Sequence, residues 1–461
     1  MRGRSGSVAV VAAIAILAAI AAHPAHAAGA AAQGAPGVGD PFFPTAGNGG
    51  YDVGHYSLEL RYRPQRRRLR GLATVTATAT QALSRFNLDL RRLRVSRLRI
   101  DGTEAGFRAH AGELIITPQA PLAAGERFTV TVGYRGRPRP VREADGLRTG
   151  WLTTPDGAFV LSEPRGAPSW FPCNDHPIDK ATYRLRVTVP RGLKAVANGT
   201  LEKRRHGARG TTFVWSESSP MATYLATVAI GRFELRRSVA GGVPSWVAVD
   251  SGHRGEGALR KTGAILDRFA SAFGPYPFES TGAILDRVPD LGVALETQSR
   301  PLYLQPPHEA IVVHELAHQW FGDSVSLERW RDIWLNEGFA TWAQWLWLEQ
   351  TGGPSAEQVF QSLYEIPASE DGFWNPPPGD PRPAELFALS VYIRGGMTLQ
   401  ALRGRVGDDA FFRILRRWAA EHAYGNASTE DFIALAESEA GIDLEGFFSA
   451  WLYEQGKPAG W

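Results

Sequence analysis

Val313-His314-Glu315-Leu316-Ala317-His318-Gln319-Trp320 is the stretch on which the reading of this chain turns. On an α-helix, positions i and i+4 lie on one face. His314 and His318 therefore aim two imidazole nitrogens at one point, with Glu315 placed to reach a water held there. Nineteen residues beyond His318 comes Glu337, in Trp334-Leu335-Asn336-Glu337-Gly338-Phe339-Ala340, inside the next predicted helix. Glu337 supplies a third ligand, and two nitrogens plus one carboxylate oxygen, with a fourth position left to water, is a donor set for catalytic zinc. A bland reading exists, in which two histidines are merely satisfied in a helix core. An H-E-x-x-H run arises by chance in roughly one chain of this composition in a hundred. Requiring a Glu at one later position makes the coincidence rarer still.

Around this segment the rhythm is helical. Leu259, Ile265, Leu266 and Phe269 space a helix over Gly257–Phe273. Further helices are predicted at His308–Phe321, Asp332–Leu348, Val391–Val406, Asp408–Ala420 and Thr429–Ala440. Ile366–Leu389 is Pro-rich and irregular, and loops of that length in compact domains are usually functional or mobile. Six tryptophans fall between Trp320 and Trp347. Most are expected to pack helices, with one or two left as candidates for a cleft wall.

Upstream, from His55 to about Phe233, the pattern has period two, as in Tyr56–Tyr62, Ala73–Thr78 and Arg127–Val132. That predicts a sheet-rich domain with one wet face. Six arginines between Arg61 and Arg70 read as a solvated hairpin tip. A nucleic-acid patch would want interleaved aromatics and a basic domain.

The chain has 461 residues, 44% of them hydrophobic and 21% charged, which suits a multidomain globular protein and argues against disorder. Only Lys180, Lys194, Lys203, Lys261 and Lys457 are lysines among 50 basic residues, a bias that reads as codon usage. The net charge of +3 disfavours a nucleic-acid role. A single cysteine, Cys173, excludes an intramolecular disulfide and a Cys-based metal knuckle. Residues 1–27 read as a signal peptide: Arg2 and Arg4, an apolar run from Val8 to Ala22, and an A-x-A site ending at Ala27. An uncleaved anchor is the rival, but the run is shorter than the ~20 residues a span needs. The expectation is a secreted or periplasmic protein with no stable membrane anchor after cleavage. Residues 28–50, rich in Ala, Gly and Pro, are expected to form a flexible leader. A β-rich domain over 51–235 and a catalytic domain over 236–461 complete the expected organisation.

The zinc helix, the following Gln319-Trp320-Phe321-Gly322-Asp323 and the Asn336–Ala340 box resemble the aminopeptidase N family of gluzincin zinc peptidases. Phe171-Pro172-Cys173-Asn174-Asp175-His176-Pro177 and Pro220–Leu225 resemble that family's N-terminal signatures. The resemblance implies an α+β multidomain chain: an N-terminal β-sandwich or saddle-like domain, then a thermolysin-like, mainly helical peptidase domain. It implies one Zn2+ per chain on His314, His318 and Glu337, with Glu315 as general base. Val293-Ala294-Leu295-Glu296-Thr297 matches the family's exopeptidase motif at Ala294 and Glu296 only. Through that match, Glu296 is implied to hold a peptide's α-ammonium and Ala294 to present backbone to substrate. Glu163, in Ser162-Glu163-Pro164, is implied to share the ammonium. Tyr392, in Val391-Tyr392-Ile393-Arg394-Gly395-Gly396, is implied to donate to the oxyanion.

The resulting expectation is a zinc-dependent aminopeptidase acting on peptides with a free N-terminus. Many relatives continue into a large helical domain that caps the cleft, so a more open site is expected here. Three alternatives stay open: a zinc endopeptidase with Glu296 idle, a hydrolase of non-peptide substrates, and a silent binding protein of the same fold. Oligomeric state and preferred N-terminal residue are not legible.

Overall fold

The computed structural model describes residues 31–251, 256–286, 288 and 293–459. The signal-peptide reading of residues 1–27 lies outside the described residues.

Period-two patterning becomes an eight-stranded sheet. Its centre is the hairpin Tyr51–Arg63 and Arg68–Ala79, flanked by Ala181–Val189 on one side and Arg127–Gly136 on the other. Val53, Tyr56, Leu58, Leu60 and Tyr62 point inward while Glu59 and Arg63 stay in solvent. The hairpin turns over Pro64–Arg66, with Arg67 left-handed at φ +47. The arginine-rich run is thus the tip of a hairpin. A four-stranded and a five-stranded sheet complete the β-rich domain.

Residues 31–50 correct the flexible leader expected over 28–50. Ala32–Gln33 forms a short strand beside Leu83–Asp89. Asp40 is buried, where its carboxylate accepts the N–H groups of Phe42, Phe43 and Trp330 and pairs with His176 at 3.1 Å. Phe43 packs edge-on against Trp330. Small-residue composition signals freedom of the backbone, but two anchors are enough to tie it down.

The domain boundary drawn between 235 and 236 falls inside a strand. Phe233–Ala240 pairs with Val243–Asp250, which runs parallel to Thr281–Leu285. Leu302–Tyr303 follows, and Ala294–Leu295 forms the edge. The second domain therefore opens with a sheet, which the helical reading after Gly241 passed over. Its α-helices among the described residues are α1 (Thr262–Phe273), α2 (Glu309–Ala317), α3 (Trp334–Gln350), α4 (Ala356–Tyr364), α5 (Asp371–Trp374), α6 (Leu389–Val406), α7 (Asp408–Glu421), α8 (Thr429–Ala440) and α9 (Glu445–Phe448).

The contact that shapes the site is α3 against α6. A Cβ placed on Gly338 would lie 2.8 Å from the Gly395 backbone, so only glycine lets these helices approach so closely. Arg394, fully buried, donates to the carbonyls of Trp374, Ala450, Trp451 and Glu454 and fastens the C-terminal segment onto α6.

The two domains meet along a buried polar seam. Lys180 Nζ donates to Asp323 O and Ser324 O at 2.8 Å and to Gly425 O at 3.2 Å. Ser299 Oγ donates to Glu217 at 2.8 Å, and Asn198 Nδ2 to Gln298 O at 2.8 Å. Each bond satisfies a group that burial would otherwise penalise. No helix among the described residues is long and apolar enough to cross a membrane.

Candidate metal centre and active site

Helix α2 begins at His308, whose Nδ1 accepts the Ala310 N–H. It is short and buried from Val312 onward, and His318 follows as its C-terminal cap residue. Glu337 arrives from the first turn of α3, where the positive end of the helix dipole favours a carboxylate. His314 Nε2 lies 3.1 Å and His318 Nε2 3.5 Å from Glu337 Oε2. Donor atoms of the three residues fall within 4.8 Å of one another. His318 Nδ1 faces Phe321 O at 3.1 Å, an arrangement that places the ring proton on Nδ1 and leaves Nε2 free as a ligand.

Burial opposes the charge on Glu337, but His318 and His314 outweigh it and hold its carboxyl down at about 2. Burial depresses His314. It works the same way on His318, where Glu337 and Glu296 overcome it and raise the imidazole above its usual value. A buried cluster of two imidazoles and an ionised carboxylate, each with a donor atom aimed at a common point, fits a divalent zinc ion.

These residues line a cleft of about 460 Å³. Its walls include Glu163, Ala294, Glu296, Glu315, Thr341 and Tyr392 beside His314, His318 and Glu337. None of the tryptophans from Trp320 to Trp347 is on its wall; all are buried packing groups. Glu315 is pushed well above its ordinary value by burial and then by Glu296 and Glu337. The Tyr392 ring stacks on His314 with centroids 5.9 Å apart, which sets its hydroxyl beside the ligand cluster. Ala294 belongs to the sheet edge, where one side of the strand has no paired strand among the described residues.

Glu296 and Glu163 stand out for what they lack. Both side chains are buried, and Oε1 of each has no hydrogen-bond partner among the described residues. Burial raises Glu296 to about 7 and moves Glu163 well above the carboxylate range, with mutual repulsion contributing to Glu163. Two under-satisfied carboxylates facing one cleft call for a cation.

Gln319 escaped the residue-by-residue reading. Its Nε2 donates to Glu296 O at 2.9 Å and to Glu315 O at 3.3 Å, while Oε1 accepts the Ser299 N–H at 2.7 Å. One amide thus ties the helix that carries Glu315 to the segment holding Glu296, just past the Ala294–Leu295 strand. Its position next to His318 was visible; its reach across the cleft floor was not.

Comparison with known proteins gives a consistent answer. Residues 278–451 match the Peptidase family M1 domain and residues 53–225 the Peptidase M1 N-terminal domain. An M1 zinc metallopeptidase from Deinococcus radiodurans is similar over 92% of this chain and 100% of its own, at 34% identity and TM-score 0.83. A mutant of that enzyme, solved with a Tyr-Ser-Ala substrate, aligns at TM-score 0.84 and 33% identity, over 92% of this chain and 99% of its own. Among curated proteins, Aminopeptidase M1 of Arabidopsis thaliana is 30% identical over 65% of this chain and 37% of its own length. Glutamyl aminopeptidase of Sus scrofa is 26% identical over 88% of this chain and 47% of its own length. The chain spans half or less of the length of these curated relatives. With both domain matches and the near-complete coverage of a solved relative, the chain belongs to the M1 family of zinc metallopeptidases.

Proposed function

We propose that this protein is an aminopeptidase that removes the N-terminal residue of peptides with a free α-amino group. The observation that carries this is the pair of buried carboxylates, Glu296 and Glu163, whose Oε1 atoms have no partner among the described residues and which line the same cleft as the His314, His318 and Glu337 cluster. An α-ammonium seated between them supplies the missing charge and hydrogen bonds. It also fixes the distance from the chain end to the hydrolysed bond.

The free edge at Ala294–Leu295 offers backbone groups to an extended peptide, in the manner of strand addition. When bound, zinc supplies Lewis-acid charge and lowers the pKa of water towards neutrality. Glu315 takes the proton from the attacking water on a carboxylate oxygen and delivers it to the departing amine nitrogen. Its burial-raised pKa suits a group that must hold that proton between the two steps. Tyr392 donates its hydroxyl hydrogen to the oxygen that becomes negative in the tetrahedral state. Gln319 keeps Glu315 and Glu296 in register.

Related structures support the assignment. One relative is described with a Tyr-Ser-Ala substrate and another two-domain M1 zinc metallopeptidase with L-arginine. Export is part of the proposal, resting on the basic head, apolar run and A-x-A site of residues 1–27.

The direct test is Glu296→Gln, assayed on an aminoacyl-dye substrate. Loss of the anionic anchor should raise KM by about two orders of magnitude, as expected for a buried charge-assisted hydrogen bond. Unchanged KM and kcat would overturn the ammonium role.

A further inference from the structure

We propose that the solvent face of the eight-stranded sheet, which shares no lining residue with the peptidase cleft, is a binding site for clustered phosphate groups. It rests on observations independent of the hydrolytic reading. Four adjacent strands place arginines directly opposite one another: Arg61 against Arg70, Arg70 against Arg135, and Arg135 against Arg94. Directly opposed residues in antiparallel strands share a face, and like charges there destabilise the pair. A codon bias towards Arg does not by itself line four of them up at one level.

Around this row the face is concave. A depression of about 480 Å³ is walled by Arg61, Arg70, Arg97, Arg135, Arg186 and Arg209, with Glu59 its single acidic group. None of these six guanidinium groups forms an ion pair or a hydrogen bond with another described residue. Elsewhere on the surface some arginines are given acidic partners: Arg184, Arg236, Arg413 and Arg417 pair with glutamates. Arg61 is shifted below its usual value by desolvation and by Arg63, Arg209 and Arg70. The protein therefore holds converging guanidinium groups without supplying their counter-charge.

Ligand chemistry follows from spacing and lining. Neighbouring strands are ~4.8 Å apart, so the row presents forked donors at short, regular intervals. Phosphates joined through a bridging oxygen carry several charges at comparable density, and each can take a bidentate fork. Among the described residues the only aromatic in the depression is Tyr134, which is buried beneath it. Nucleic-acid bases would find nothing to stack on.

The experiment is calorimetric titration of the zinc-loaded enzyme with inorganic tripolyphosphate at about 0.15 M salt. Saturable one-to-one binding is expected, weakened at least tenfold in an Arg70→Ser, Arg135→Ser double variant. Arg416→Ser, an exposed arginine on α7, should leave the affinity unchanged. Because the double variant relieves repulsion, its unliganded melting temperature should match or exceed that of wild type, and its peptidase rates should be unaltered. Co-sedimentation with phosphatidylcholine vesicles containing phosphatidic acid, displaced by tripolyphosphate, would assign the phosphates to a lipid headgroup. Binding of tripolyphosphate alone would assign a soluble oligophosphate. Absence of saturable binding up to millimolar tripolyphosphate, equal affinity in the double variant, or binding of duplex DNA without tripolyphosphate would overturn the proposal.

Discussion

Glu315 and Tyr392 face the same ligand cluster from two helices, so their losses should be separable in kinetics. Glu315→Gln removes the proton acceptor and keeps a side chain of the same shape. Zinc content should stay near one per chain while kcat falls by roughly 10²–10⁴. A metal-loaded variant with near-normal turnover would remove Glu315 from proton transfer. Tyr392→Phe deletes one preorganised donor, so kcat should drop by about 10²–10³ with KM little changed. At this scale much was legible, because His314, Glu315, His318 and Glu337 carry their chemistry in residue type and spacing. The unpartnered state of Glu163 and the reach of Gln319 were not, since both depend on which segments the fold brings together from 150 or more positions away or across a cleft.

Helices α3 and α6 deliver Glu337 and Tyr392, and Gly338 against Gly395 sets their separation. Gly338→Ala would push a methyl group into the Gly395 backbone, which lies 2.8 Å from the Cβ position. Overpacking of this kind costs about 1–3 kcal/mol, and a spread of the helices should lower kcat as well as the melting temperature. Wild-type activity and stability would contradict the close-approach account. The seam between domains gives a pH prediction. Burial raises Glu217 from 4.5 to about 7, with Ser299 and Ser219 opposing. Between those two values the folded protein binds more protons at this site than the unfolded chain. Stability from this group is thus full below pH 4.5 and lost as pH rises through about 7. Its slope is at most roughly 1.4 kcal/mol per pH unit. Glu217→Gln should flatten the decline in melting temperature between pH 5 and pH 7, and an unchanged slope would exclude it. Helix periodicity exposed α3 and α6 in the sequence to within a few residues. The strands at 243–250 and 281–285 were missed because a sheet buried by helices lacks the alternation that marks a half-wet one.

Across the whole molecule, residues 31–50 act as a strap touching both domains. Asp40 joins His176 of the first domain to the Trp330 backbone of the second. Asp40→Ala would leave those buried groups unpaired at a cost of about 2–5 kcal/mol, visible as a lowered melting temperature. No change would show the strap to be decorative. Composition alone could not reveal it, because Ala, Gly and Pro describe backbone freedom and say nothing of where Asp40 and Phe43 land. The zinc cluster, the free sheet edge and the paired carboxylates converge on one claim, that the cleft measures a peptide from its charged end. The measurement closest to that claim compares hydrolysis of one short peptide with its N-terminus free and N-acetylated, using the zinc-loaded enzyme. The free peptide should lose its first residue and the acetylated one should persist; equal cleavage of both would contradict the account.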